Sequence, residues 1–208
     1  MATRLSTVIA AAPETDLAVV AAMAAQFESY MLKGQVYRTV VVPTPGDHRG
    51  AGERPVQSSG GDVLARLHKL AAQSDSLSRE QRQALAEAKA QIDAATARLP
   101  SNYQALLLRE ARARLNSLNW FLDDCSENRR DCRVQYPFEI RNRQRIAEIG
   151  KALVSENADA LATQVASVDQ RLQAMIARGE FVWEATVAPV YPREEYWYLY
   201  GLPAGPDP

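Results

Sequence analysis

The chain has 208 residues, of which 47% are hydrophobic and 24% are charged, and its formal net charge at pH 7 is -1. These values are ordinary for a globular protein, and they exclude a strong overall attraction to nucleic acid or to anionic membranes. A chain of this length can bury one sizeable core, so we expect a single helical domain over residues 1–208.

The expected location follows from apolar runs and cysteine usage. No run approaches the roughly 18 apolar residues that cross a bilayer, so we expect no membrane contact. The first apolar stretch ends at Pro13, and it is too short for a secretory signal. We therefore expect a cytoplasmic protein. Cys125 continues an apolar helical stripe, and a buried inert thiol is the first interpretation. A disulfide with Cys132 is the alternative, and it would change the expected compartment.

The first third of the chain predicts a helix, a strand and a loop. Apolar residues from Leu17 to Met31 recur at helical spacing, with Thr15 or Asp16 as the cap, and Gly34 suits the helix end. The β-branched run over residues 36–42 predicts a strand. Residues 43–61 hold five of the ten glycines and three of the eleven prolines, so we expect a flexible loop there.

The rest of the chain predicts further helices with apolar positions spaced alternately by three and four, as in antiparallel bundles. Two of these helices start at Asp62 and at Ser78, and the next two cover residues 101–125 and 137–154. The last helix ends at Gly179. Ser78 and Ser101 are each expected to form a capping box. Residues 181–187 are the best partner for the strand at 36–42. The sequence therefore predicts a mainly α fold, an antiparallel helical bundle with a small two-stranded β-ribbon.

A polar stripe accompanies the apolar stripe of the helix over residues 101–125. In the helix over residues 137–154, Asn142 is in register with inward apolar residues, so we expect Asn116 or Asn119 to lie near it. Buried amides and guanidinium groups need partners. The cluster predicts either a pocket for a small anion, in an enzyme or a ligand-binding protein, or a hydrogen-bonded network that fixes helix register. The candidate ligand-binding residues are Arg109, Arg112, Asn116, Asn119, Asp123, Asn142 and Arg145.

Other chemistry has weaker support in the sequence. No helix carries the paired carboxylates of a di-metal bundle, the two cysteines lack a nearby histidine, and residues 58–62 lack the lysine of a phosphate-binding loop. We expect no metal, no cofactor and no catalytic residue, and we favour a protein that is not an enzyme. Residues 109–145 contain nine arginines and six acids. Because these charges are interleaved and no aromatic platform accompanies them, nucleic-acid binding is only a second alternative.

The segment over residues 181–208 holds seven of the fifteen aromatic residues. Such a segment must pack on another surface. Residues 196–199 are consecutive and large, so no regular element can bury all four on one face. Our leading hypothesis is a non-enzymatic interaction or assembly protein that binds a protein partner, or a second copy of itself, through this segment. The alternative is a tail that covers its own core. The candidate partner-binding residues are Tyr191, Tyr196, Trp197, Tyr198 and Tyr200.

Overall fold

The structure, a computed structural model, describes residues 12–47 and 50–205. These residues form eight α-helices and two antiparallel two-stranded sheets, which confirms the predicted mainly α fold. The helices are α1 (Pro13–Ala24), α2 (Phe27–Lys33), α3 (Gly60–Ala72), α4 (Arg79–Arg98), α5 (Pro100–Glu127), α6 (Arg129–Glu139), α7 (Arg141–Ala152) and α8 (Ser155–Met175). The strands are β1 (Arg38–Asp47), β2 (Gly50–Ser58), β3 (Ile176–Phe181) and β4 (Tyr200–Pro203).

The described residues form two compact units, an N-terminal unit over residues 12–110 and a C-terminal unit over residues 111–205. The sequence predicts one domain over residues 1–208, and that statement stays a prediction. In the N-terminal unit, α1 packs against α3, α4 and β1. In the C-terminal unit, α6 contacts α7 and β4, and α7 contacts α8.

The first predicted helix is two helices. Helix α1 begins at Pro13, a residue whose fixed φ suits the first helical position, so a cap at Thr15 or Asp16 is wrong. Asp16 is instead buried, with its carboxylate 2.9 Å from Nζ of Lys69. Helix α2 ends at Gly34, which has a left-handed φ of 64°, as predicted.

The loop predicted over residues 43–61 is wrong, because most of it forms the hairpin of β1 and β2. Pro43 lies opposite Glu53, and Pro55 lies opposite Val41. A two-stranded ribbon tolerates proline because each strand has an unpaired outer edge. The strand predicted at residues 36–42 is present, but its partner is this adjacent strand. Pairing of two strands that are close in the sequence costs less loop-closure entropy than pairing with residues 181–187.

Helix α3 is capped by Ser59 and not by the predicted Asp62, and the buried carboxylate of Glu110 lies at its N-terminus. The Ser59 side chain caps the helix, and its hydroxyl lies 2.6 Å from Oε1 of Glu110. The other oxygen of Glu110 accepts a hydrogen bond of 2.9 Å from the backbone N–H of Gly61. A carboxylate at a helix N-terminus complements the helix dipole and the unpaired N–H groups.

Two other helix starts also differ from the prediction. The capping box at Ser78 is present, whereas α5 begins at Pro100, so Ser101 lies inside the helix. Pro137 does not open a helix, because it lies in the last turn of α6 and the next helix begins at Arg141. A proline at this position cannot donate a hydrogen bond to the carbonyl four residues earlier, which weakens the helix there, and α6 ends two residues later.

Helix α8 buries its predicted stripe and then passes directly into β3, so Gly179 lies in a strand and does not end the helix. Strand β3 pairs with β4, and Arg178 lies opposite Gly201. Residues 181–187 therefore do not form the predicted strand, and a 3₁₀ turn covers Ala185–Val190. In the part of the chain that the structure describes, no helix is long and apolar enough to cross a membrane.

The two cysteines are joined by a disulfide, so the interpretation of Cys125 as a free buried thiol is wrong. Helix α5 ends at Glu127, and Asn128 caps α6 through its side chain. This tight connection brings Cys132 opposite Cys125, with 4.9 Å between their Cα atoms. The disulfide alternative was the correct one, and it links the end of α5 to the start of α6.

Candidate functional site

The aromatic C-terminal segment is held on its own unit by buried rings. Tyr196, Tyr198 and Leu199 are fully buried, and Tyr191 is nearly so. The Tyr136 hydroxyl donates a hydrogen bond of 2.6 Å to the carbonyl oxygen of Tyr198. Three of the five candidate partner-binding residues are therefore inside the C-terminal unit and do not present a surface to a partner in this structure.

An arginine fixes the position of the Tyr198 ring. Two nitrogens of Arg143 donate to the two carboxylate oxygens of Asp169, at 2.6 and 2.8 Å, and the guanidinium lies 4.7 Å from the Tyr198 ring centre. Burial lowers the pKa of Arg143, but the hydrogen bond with Asp169 and neighbouring charges outweigh it, so the pKa is raised. Burial also raises the pKa of Tyr198, so its phenol is neutral at ordinary pH.

A second polar group holds Tyr196. Its hydroxyl donates to the Glu148 carboxylate at 2.6 Å and accepts from Nζ of Lys151, also at 2.6 Å. Lys151 in turn pairs with the carboxylate of Glu195 at 2.6 Å. Burial raises the pKa of Tyr196, and the hydrogen bond with Glu148 raises it further. The network runs from buried Tyr196 and Glu148 to exposed Lys151 and Glu195, and its hydrogen bonds anchor the segment.

The remaining two candidates, Trp197 and Tyr200, are half-buried and line an open pocket of about 680 Å³. We call it the C-terminal pocket. This volume falls within the range of about 300–1,000 Å³ that ligand pockets occupy. The lining residues are Gln173, Ile176, Arg178, Arg193, Glu194, Trp197 and Tyr200.

Two arginines give the C-terminal pocket its positive charge. The Arg193 guanidinium lies 4.6 Å from the centre of the Tyr200 ring and donates a hydrogen bond of 2.8 Å to the carbonyl of Gly179. Arg178, on β3, is exposed, and its side chain makes no hydrogen bond or ion pair with any residue between 12 and 205 that the structure describes. The pocket thus combines aromatic faces with unused cationic donors.

The predicted anion-binding residues do not converge on one pocket. Asn142 accepts a hydrogen bond of 2.9 Å from Arg114 and donates one of 3.4 Å to Glu139, so its hydrogen-bond partners are not Asn116 or Asn119. Asn116 is exposed, and Asn119 accepts from Arg171 at 2.9 Å.

The other predicted anion-binding residues are also dispersed. Asp123 forms an ion pair of 2.6 Å with Arg171, on α8 instead of α7. Arg145 donates to Gln144, its neighbour in the chain, at 3.3 Å. Arg112 is exposed. Arg109 belongs to the N-terminal unit and donates to the carbonyl of Gly34. The contacts favour the interpretation as a network that fixes helix packing.

Sequence reasoning missed the arginines of the C-terminal pocket. Arg178 and Arg193 are fifteen residues apart in the sequence, and the fold brings them to one pocket, where Arg193 donates a hydrogen bond to the carbonyl of Gly179, next to Arg178. A usable signal was the pair of glycines Gly179 and Gly201, which mark a close backbone approach between the two segments. Within the described residues, no group of three or more His, Cys, Asp or Glu side chains is arranged to hold a metal ion.

No protein-family model matches this chain, and the searches of curated proteins and of solved structures found no match.

Proposed function

We propose that this protein is a non-enzymatic interaction protein that binds a protein partner through the C-terminal pocket. The observation that carries the proposal is the pocket itself, in which Trp197 and Tyr200 are half-buried beside Arg178 and Arg193. Tryptophan, tyrosine and arginine are the residue types most enriched among the energetic centres of protein interfaces. Of the docking residues predicted from the sequence, the proposal therefore keeps only Trp197 and Tyr200, which line the pocket.

The buried half of the segment supports the same proposal. Because Tyr196 and Tyr198 are locked by the hydrogen bonds described above, the rings of Trp197 and Tyr200 are presented on a rigid base. A rigid aromatic group loses little conformational entropy on binding, which favours affinity. The small-anion and nucleic-acid alternatives have less support, because five of the seven predicted anion-binding residues pair within the fold.

The test compares two tryptophan substitutions in the same unit. Trp197→Ala removes the pocket ring, and Trp120→Ala removes a ring on α5 that is 70% exposed. Each protein is used as bait in the native host, with chemical cross-linking, and circular dichroism checks that each variant is folded. Light scattering of the purified proteins tests self-association at the same time.

Proteins captured by the wild type and by Trp120→Ala, but not by folded Trp197→Ala, would support the proposal. Loss of a light-scattering dimer in Trp197→Ala alone would identify the partner as a second copy. Loss of capture in Trp120→Ala, with Trp197→Ala unaffected, would refute the proposal and place the docking surface on α5.

The proposed location needs a separate test. The sequence favours the cytoplasm, whereas the disulfide between Cys125 and Cys132 weighs against it, because disulfides persist mainly in oxidising compartments. Protein extracted from the host in the presence of an alkylating reagent can be analysed by mass spectrometry. Alkylated cysteines would support the cytoplasm, and an intact disulfide would support an oxidising compartment.

A further inference from the structure

We infer that the occupant of the C-terminal pocket is an acidic peptide segment of the partner, in which a carboxylate lies next to an aromatic or aliphatic side chain. This inference rests on the proposed function and names the chemistry of the partner. Its basis is the charge and shape of the pocket, which contains Arg178 and Arg193 against a single acid, Glu194.

The cationic part of the pocket is ready to bind a carboxylate. Arg178 uses none of its five N–H donors on the described residues. Arg193 is oriented by the Gly179 carbonyl, 2.8 Å away, and by the Tyr200 ring. A planar guanidinium matches the two oxygens of a carboxylate, and these charge-assisted hydrogen bonds are stronger than neutral ones.

The apolar part of the pocket is formed by the exposed side of Trp197 together with Ile176. The Trp197 ring packs edge to face on Tyr198, with 5.6 Å between the ring centres, and Tyr198 is fully buried. The ring therefore has a fixed support on one side and is open on the other. An aromatic or aliphatic side chain next to the bound carboxylate would cover that open side.

A peptide suits this pocket better than a nucleic acid strand. Strands bind along extended basic grooves in which successive bases stack on successive rings. Here the two arginines share the pocket with Glu194, whose carboxylate repels a polyanion of uniform charge. A short acidic segment can place its carboxylates at the arginines and away from Glu194. Because Glu194 repels an acidic ligand, we expect that neutralising its charge strengthens the binding of such a ligand.

The experiment begins with a phage-displayed library of random linear peptides selected on the immobilised wild-type protein. The most enriched peptide is then synthesised with a fluorescein label, and its binding to the full-length protein is followed by anisotropy. The variants are Arg178→Ala, Glu194→Gln and a control, Arg130→Ala. Arg130 is exposed on α6 and has no side-chain partner among the described residues.

We expect enrichment of aspartate or glutamate next to aromatic or aliphatic residues. Arg178→Ala should weaken binding of the synthetic peptide at least about tenfold, which is the lower end of what a hydrogen bond to a charged group contributes. Glu194→Gln should strengthen the same peptide, and Arg130→Ala should leave it unchanged. These results together would support the inference.

Selected peptides without an excess of acids would overturn the inference, as would equal affinity of the wild type and Arg178→Ala. An oligothymidylate strand that binds in an Arg178-dependent way while no peptide is enriched would also overturn it, in favour of nucleic acid. The two proposals fail separately. Capture that depends on Trp197, with selected peptides that lack acids, would leave the docking function standing and remove only the acidic partner.

Discussion

Strand β4 is predicted to depend on the absence of a side chain at Gly201. This residue has a φ of +147°, which residues with a side chain rarely adopt. A Cβ atom added there would lie 2.2 Å from the carbonyl oxygen of Ala177 and 2.7 Å from Cγ2 of Ile176. Contacts of Cβ atoms below 3.0 Å are essentially never observed. Gly201→Ala therefore forces β4 away from β3.

The cost has two parts. Holding alanine at an unfavourable φ costs about 1–3 kcal/mol, and overpacking at a backbone contact costs about 1–3 kcal/mol. The expected loss of about 2–6 kcal/mol is a large part of the roughly 5–15 kcal/mol that stabilises a typical domain. Because Tyr200 precedes the substituted residue, the C-terminal pocket should be disturbed together with the strand.

Urea denaturation followed by circular dichroism measures the effect, with Gly150→Ala as the matched control. Gly150 lies within α7, and nothing lies within 4 Å of the Cβ position there. The control should be more stable than the wild type by about 0.5–1 kcal/mol, because alanine favours a helix. Equal unfolding midpoints for Gly201→Ala and the wild type would refute the close packing of β3 and β4.

Three other measurements test the fold. Asn142→Ala should lower the free energy of unfolding, measured by chemical denaturation, by about 1–3 kcal/mol, because it removes the hydrogen bond from Arg114, which is buried. An effect no larger than that of Asn116→Ala, at an exposed position, would contradict this. Reduction of the disulfide should cost about 2.5 kcal/mol by the loop-entropy estimate for so short a loop, and identical melting with and without reductant would show that it does not constrain the unfolded chain. Burial raises the pKa of Tyr103 to about 12, above an unfolded value of about 10, so its stabilising effect is complete below pH about 10 and is lost as pH rises through about 12. Denaturation across this range should show a smaller alkaline loss for Tyr103→Phe, and an unchanged loss would contradict the assignment.

The helices could be predicted wherever the signal was local. Ser78 and Gln81 are three residues apart and form their capping box regardless of distant packing. The stripe at Leu161 and Leu172 reports burial because one helix carries both residues. The β1–β2 hairpin could not be predicted in this way. Its second strand is rich in glycine and proline, and its pairing buries Val40 and Val42 of the first strand.

The polar contacts were less predictable than the helices, because periodicity specifies a direction from the helix axis but not the reach of a side chain. Asn142 was identified as a residue that needs a partner, and it has one. The partner is Arg114, which lies on the same helix as Asn116 and Asn119 and donates a hydrogen bond of 2.9 Å to Asn142. Similarly, Arg171 on α8 donates hydrogen bonds to the side-chain oxygens of Asn119 and Asp123.

The aromatic segment shows why the two roles proposed for it must be tested by single substitutions. Four consecutive large residues cannot all be buried on one face of a regular element. In the structure the segment is a 3₁₀ turn over Trp197–Leu199 in which Trp197 is half-buried, whereas Tyr196, Tyr198 and Leu199 are inside. A chain that ends at Arg193 would lose the buried rings and the open ring together, so its failure could not distinguish docking from core formation. Trp197→Ala and Arg178→Ala keep Tyr196 and Tyr198 in place, so loss of binding by these folded variants can be assigned to the open surface.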